Sequence, residues 1–169
     1  VLWLVIAAMR RSTPMTTTIF ARWLMMGLLA NALPFALLFY GQRDIGAGLA
    51  SIINGSTVLW AAIFAHFLLA DEKLTQLKTA GIVVGFAGIV IMIGPGALSG
   101  VGQNVIAQLL VVATAISYGF AAVYSRRFSK SDPMITAAGQ LTGAAILIAP
   151  IALMVDQPWQ IETPSSDSL

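Results

Sequence analysis

The side chains in this sequence that could do chemistry are few, neutral and embedded in apolar stretches. Asn31, Asn54, Ser56, Thr57, Trp60, Thr114, Ser117, Tyr118 and Gln140 all sit in runs free of Asp, Glu, Lys and Arg. Amides, hydroxyls and an indole donate and accept hydrogen bonds without carrying charge, so they suit the orientation of a neutral or amphipathic solute better than acid–base work. Asn54 and Thr57 stand three residues apart, which puts them on one face of a helix. The signatures of catalysis are missing: there is no HExxH, GxSxG or Walker loop, and no acidic pair inside an apolar run. With no cysteine, thiolate chemistry and cysteine metal sites are excluded. His66 is the only histidine, so it has no partners for a histidine metal site. Near the end of its run it reads as a satisfied amphipathic residue ahead of a proton carrier. No cofactor, no metal and no enzyme activity are expected.

What must position these residues follows from composition. Of 169 residues, 58% are hydrophobic and 9% charged, against about a quarter charged in a soluble domain. Five long uncharged runs, Trp23 to Gln42, Ile45 to Ala70, Thr79 to Val101, Val105 to Ser125 and Met134 to Val155, each approach the ~20 residues of a spanning helix. They are apolar all round, without the polar stripe of a soluble bundle. Only helices and closed barrels satisfy their backbone groups within lipid, and the alternating ~10-residue segments of a barrel are missing. Val1 to Met9 is apolar but short and lacks the features of a signal peptide; it reads as the tail of a cut helix. The sequence therefore predicts an all-α polytopic transmembrane helix bundle with five complete spans and one truncated N-terminal span.

Successive loops of such a bundle alternate between the two sides of the membrane, and cytoplasmic loops collect Lys and Arg. One set of loops holds Arg10, Arg11, Arg22, Lys73, Lys78, Arg126, Arg127 and Lys130, and the other holds Arg43 alone. One missed or invented span would scramble this split, so the loops around Arg10, Lys73 and Arg126 are expected on the cytoplasmic side. The net charge of +2 is spread between apolar blocks and not gathered on one face, which argues against nucleic acid as a partner.

Small residues recur at helical spacing: Gly81, Gly85 and Gly88, Ser51 with Gly55, and Gly139 with Gly143. In lipid such faces allow close backbone approach, so they are expected to be helix contacts. Pro34 and Pro150 should kink their helices. The Gly-rich connector from Gly94 through Gly102 suggests a boundary between two units, residues 1–98 and 99–169. Intramembrane polar residues must face protein, cavity or water. At similar depth on several helices, Asn31, Asn54, Ser56, Thr57, Trp60 and Tyr118 are candidates to line a solute path at the midplane. The alternative is that such groups only cross-link helices.

The stretch Ala50-Ser51-Ile52-Ile53-Asn54-Gly55-Ser56-Thr57-Val58-Leu59-Trp60, the turn Asp71-Glu72-Lys73-Leu74-Thr75, and the helix with Gly81, Gly85 and Gly88 together resemble EamA-type drug/metabolite transporters. Glu72, Lys73, Leu74, Thr75 and Gly81 match that family's Glu-basic-Leu-Thr turn and the Gly-rich helix after it. Ala115-Ile116-Ser117-Tyr118-Gly119 through Arg126-Arg127 is similar to the opening helix of the family's second repeat. The resemblance implies ten helices in two inverted five-helix repeats, of which this chain looks like the second through seventh. The family often has Pro near Val58 and Trp where Tyr118 stands, and these departures leave substrate preference open. Independently of the likeness, Thr75 can cap the following helix and Lys73 can meet the last carbonyls of the preceding one. Glu72, at the interface, is expected to be structural.

The expected activity is therefore that of a secondary carrier or exporter of a small metabolite, working by alternating access from a bacterial inner membrane. Its partners would be the solute and the lipid bilayer, with a second copy in a homodimer as an option. Two rivals come from other classes: an intramembrane enzyme on lipid-linked substrates, and a non-transporting membrane subunit.

Overall fold

The computed structural model describes residues 2–9, 16–128 and 131–156; Arg10, Arg11 and Lys130 of the charge pattern lie outside them. Helix α1 covers Leu2–Ala8. Thr16, in extended backbone, accepts the N–H of Ile19 at 3.3 Å. That cap starts α2, Thr17–Gly27, one and a half turns before the first apolar run, so that Arg22 lies within the helix. A π-helical turn, Leu28–Ala32, joins α2 to α3, Leu33–Gly41. The second span is α4, Ala47–Gly55, and α5, Thr57–Leu68, broken at Ser56. Helix α6, Gln76–Ile93, opens on the hydroxyl of Thr75, which accepts the Lys78 N–H at 3.3 Å.

Within the third apolar run α6 stops at Ile93, where the Gly-rich connector begins. Gly94 has φ +98°, a conformation open to glycine, and a 3₁₀ turn, Pro95–Gly100, follows. Helix α7, Val105–Tyr124, runs into a 3₁₀ turn, Ser125–Phe128. Helix α8, Pro133–Asp156, starts on Asp132, whose Oδ1 accepts the N–H groups of Met134 and Ile135 at 2.8 and 3.4 Å. Pro133 at its first position needs no N–H. Pro150 interrupts no residue of α8, so of the two prolines it is Pro34 that accompanies a local break.

Among the described residues five helical spans are long and apolar enough to cross a membrane: Thr17–Gly41, Ala47–Leu68, Gln76–Ile93, Val105–Phe128 and Pro133–Met154. Large apolar side chains project from them, with Leu77 85%, Met92 80% and Ile106 78% exposed; these surfaces suit lipid, not water. Helix α7 is the most buried span and packs against α3, α4, α5 and the π turn. Helix α8 packs against α1 and α2. The span Thr17–Gly41 thus leans on α8 with its first half and on α7 with its second, and the π turn marks the crossover.

Glycines set these contacts. A Cβ on Gly139 would overlap the Trp23 indole, one on Gly143 would lie 2.6 Å from the Trp23 carbonyl oxygen, and one on Gly27 would meet the α8 backbone at Ala144. Gly41 fits against Ala107 and Val111 of α7, and Gly119 of α7 against Trp60 and Ala61. Around Trp23, Ile6, Met26, Ala121, Phe128, Ile135 and Ala138 form a buried apolar cluster. Helix α1 docks on α8 through Trp3, whose Nε1 donates to the Thr142 hydroxyl at 2.8 Å.

Gly81, Gly85 and Gly88 differ from the expectation of helix contacts. A Cβ at any of them meets nothing within 4 Å, and α6 has no buried residue. The described chain meets this stripe of α6 nearer its end, where Gly48 and Gly55 of α4 touch Ile93 and Ile89, and leaves it uncovered toward Gln76.

Candidate functional site

The π turn follows from Pro34. In an α-helix the Leu33 N–H would bond the Leu29 carbonyl; here it bonds that of Leu28. Pro34 has no N–H to offer in its place, so the Leu29 carbonyl has no partner in its own helix. Ser117 of α7 supplies one, donating from Oγ at 2.8 Å. One turn earlier, Thr114 donates to the Pro34 carbonyl at 3.2 Å and to that of Leu110 in its own helix at 3.1 Å. Thr114 is fully buried and Ser117 nearly so. Of the two readings open for these hydroxyls, the cross-linking one describes them.

Asn31 sits in the π turn, near the middle of its span. Its Nδ2 is buried and has no hydrogen-bond partner. Asn54 is the penultimate residue of α4, two before the break at Ser56 and about a third of the way along its span, and its Oδ1 is buried without a partner. A donor and an acceptor are therefore left open at comparable depth, each beside an irregular stretch of helix. Leaving such a group unsatisfied costs ~1–3 kcal/mol, which sets these two amides apart from the hydroxyls of Thr114 and Ser117.

The other candidates separate. Thr57 turns its hydroxyl to the backbone, donating to the Asn54 carbonyl at 2.7 Å. Ser56, in the break, lines a groove of about 360 Å³ with Ile53, Phe86, Gln108 and Val112. Trp60 packs its Cβ against Gly119 of α7 and stands 6.4 Å, ring to ring, from Phe64, which meets Phe120 edge-on at 5.5 Å. Tyr118 is half-buried on α7. Helix α7 packs against the π turn, α4 and α5, and so is the common neighbour of the elements bearing Asn31, Asn54 and Trp60.

Each end of the bundle is tied separately. At one end, Arg126 of the 3₁₀ turn after α7 meets Asp71 at 2.6 Å and Glu72 at 3.5 Å, and Glu72 also pairs with Lys78 at 3.1 Å. The Lys73 ammonium donates to the His66 carbonyl at 2.8 Å, and His66 Nδ1 accepts the Leu74 N–H at 3.1 Å. His66 thereby anchors the turn into α6. At the other end, the Asn104 amide donates to the Asp44 carbonyl at 3.0 Å. The link from Arg126 to the α5–α6 turn was not foreseen from sequence; the opposite charges were visible, but nothing said that α7 ends beside that turn.

Comparison with known proteins agrees with this architecture. The family model described as EamA-like transporter family matches residues 1–94. The chain is 25% identical over 148 residues to a protein named uncharacterized transporter YoaV of Bacillus subtilis, covering 87% of this chain and 50% of that protein. It is 26% identical to uncharacterized inner membrane transporter YedA of Escherichia coli K12, over 78% of this chain and 41% of YedA. It is 31% identical to uncharacterized transporter YvbV of Bacillus subtilis, over 71% of this chain and 40% of that protein. The chain thus spans about half the length, or less, of the curated relatives it matches. No solved structure matches. With the family's model matched over more than half the chain and five helices fit to cross a bilayer, this multi-pass integral membrane protein belongs to the EamA-like transporter family.

Proposed function

We propose that the full-length protein is a secondary carrier that moves a small neutral or amphipathic solute across a bacterial inner membrane by alternating access. The observation that carries this reading is the pair of unpaired amide groups, Asn31 Nδ2 and Asn54 Oδ1, buried within their spans beside two helix irregularities. Breaks of this kind in transporters expose backbone and side-chain dipoles to a bound solute near the midplane. Family membership and the relatives' names support transport as the activity.

In this reading Asn31 donates to the solute, Asn54 accepts from it, and Trp60 and Tyr118 enclose its apolar part. Ser56 and Thr57 shape the break that holds Asn54 in place. Residues 1–98 and 99–169 belong to successive repeats, and α7 opens the second. The basic end with Lys73 and Arg126 faces the cytoplasm. No charged side chain of α4 or α5 reaches the break, which favours facilitated diffusion or exchange in this half.

Counterflow in liposomes containing the full-length protein, run against a panel of amino acids and metabolites, tests the proposal. Asn54→Leu is expected to abolish flux of the accepted solute while membrane insertion and size-exclusion profile stay unchanged. Unaltered flux in that variant removes Asn54 from the site, and absence of counterflow for every solute removes the carrier reading.

A further inference from the structure

A groove between α5 and α6 runs up to Gly55, next to Asn54, but its walls are other residues. It has a volume of about 460 Å³ and runs past Ala62 and Ala65 of α5 and Gly81, Gly85, Phe86 and Ile89 of α6. None of the proposed solute-lining residues is among its walls. Below the mouth those walls carry no polar side chain, so a polar solute finds nothing to bond. Gly81 and Gly85 leave open space where a Cβ would stand, and an unfilled slot of this kind forfeits dispersion contacts along its whole length.

Its length is informative. From Ala65 at the mouth to Gly55 at the deep end, ten residues at ~1.5 Å each make a channel ~15 Å long. The hydrocarbon core is ~30 Å thick, so the groove reaches from one interface to about the middle of the bilayer. That is the depth of a single leaflet, hence of one acyl chain.

The mouth is charged. Asp71 and Glu72 face Arg126 and Lys78. Lys73, which lines the mouth with Glu72 and Lys78, gives one hydrogen bond to a carbonyl and has no carboxylate within 4.0 Å among the described residues. Three cations against two carboxylates leave the cluster at net +1, centred on Lys73. The N-terminus of α6 adds partial positive charge at the same place. An apolar slot one leaflet deep below a net cation at the basic end of the bundle complements an anionic lipid, since basic pockets between spans on the cytoplasmic side attract anionic headgroups.

We infer that the α5–α6 groove binds one acyl chain of an anionic phospholipid, whose phosphodiester is held by Lys73 with Lys78 beside it. This does not depend on which solute the protein carries.

The test uses the full-length protein in nanodiscs with Phe86→Trp, or separately Ile82→Trp, as a reporter, the fluorescence of the unsubstituted protein being subtracted. Brominated phosphatidylglycerol and brominated phosphatidylcholine of the same chain length are compared as quenchers. Phosphatidylglycerol should quench with about fivefold higher apparent affinity, the effect of one lysine near an anionic surface, and Lys73→Gln should bring the ratio close to one. Gly85→Leu, whose added side chain enters open space, should leave the protein monodisperse and abolish quenching by both lipids. Equal quenching by the two lipids overturns the proposal, as does a preference that survives Lys73→Gln or quenching that survives Gly85→Leu. Absence of quenching by either lipid overturns it too, because the groove is then covered by protein.

Discussion

Ser117 and Pro34 form one device made of two residues on different spans. Proline removes the N–H that the Leu29 carbonyl would use, and the Ser117 hydroxyl meets that carbonyl at 2.8 Å. Ser117→Ala should therefore destabilise the bundle by ~0.6–2 kcal/mol, the usual range for an intramembrane hydrogen bond, in denaturant titration of the detergent-solubilised protein. In a Pro34→Ala background the restored N–H can reach Leu29, so the same Ser117→Ala change should cost less. A double-mutant cycle measures the difference; strict additivity would show that the two residues act separately. Asn31 and Asn54 are the opposite case. Their open groups face no partner in the described chain, so replacing either should disturb solute handling more than stability.

Glycine spacing means different things on different helices. On α8, Gly139 and Gly143 hold Trp23 and its backbone, so Gly139→Ala drives a methyl group into the indole. We expect a loss of ~1–3 kcal/mol, the usual cost of overpacking, read as a lower melting temperature in detergent. On α6, Gly88 meets nothing; Gly88→Ala should stabilise by ~0.5–1 kcal/mol through helix propensity alone. The two substitutions are chemically identical and opposite in expected sign. A loss of stability at Gly88 would mean that another surface, from the rest of the full-length protein or a second copy, rests on α6. Propensity and periodicity were equal at both sites, so nothing in the sequence distinguished a packed glycine from an open one.

Across the whole molecule the ion pairs from Arg126 to Asp71 and Glu72 gather one set of loops at a single end, and the contact of Asn104 with Asp44 gathers the other set at the opposite end. These 169 residues contain no cysteine, so single substitutions here report sidedness once any cysteine in the rest of the full-length protein is replaced. Cysteine placed at Gln42 or Gln103, both exposed, should react with an impermeant maleimide added outside intact cells. Cysteine at Thr75 or Arg127, also exposed, should react only after permeabilisation. Labelling of Gln42 and Thr75 sites from the same side would break the alternation on which the fold rests.

Sequence by itself determined the number of spans, their approximate ends and their alternation, because transfer of apolar side chains into lipid and backbone hydrogen bonding within each helix are local to a segment. It also determined the caps at Thr75 and the anchoring role of Lys73, which reach only across one turn. Tertiary structure decided what depends on two segments meeting: that Thr114 and Ser117 serve the backbone of a neighbouring span, that Trp23 lies on Gly139 and Gly143, that Arg126 meets the α5–α6 turn, and that the amides of Asn31 and Asn54 stay open. Apolar helices in lipid gain little from hydrophobicity when they choose neighbours, so shape and single hydrogen bonds select the pairing, and those terms exist only once the helices are side by side.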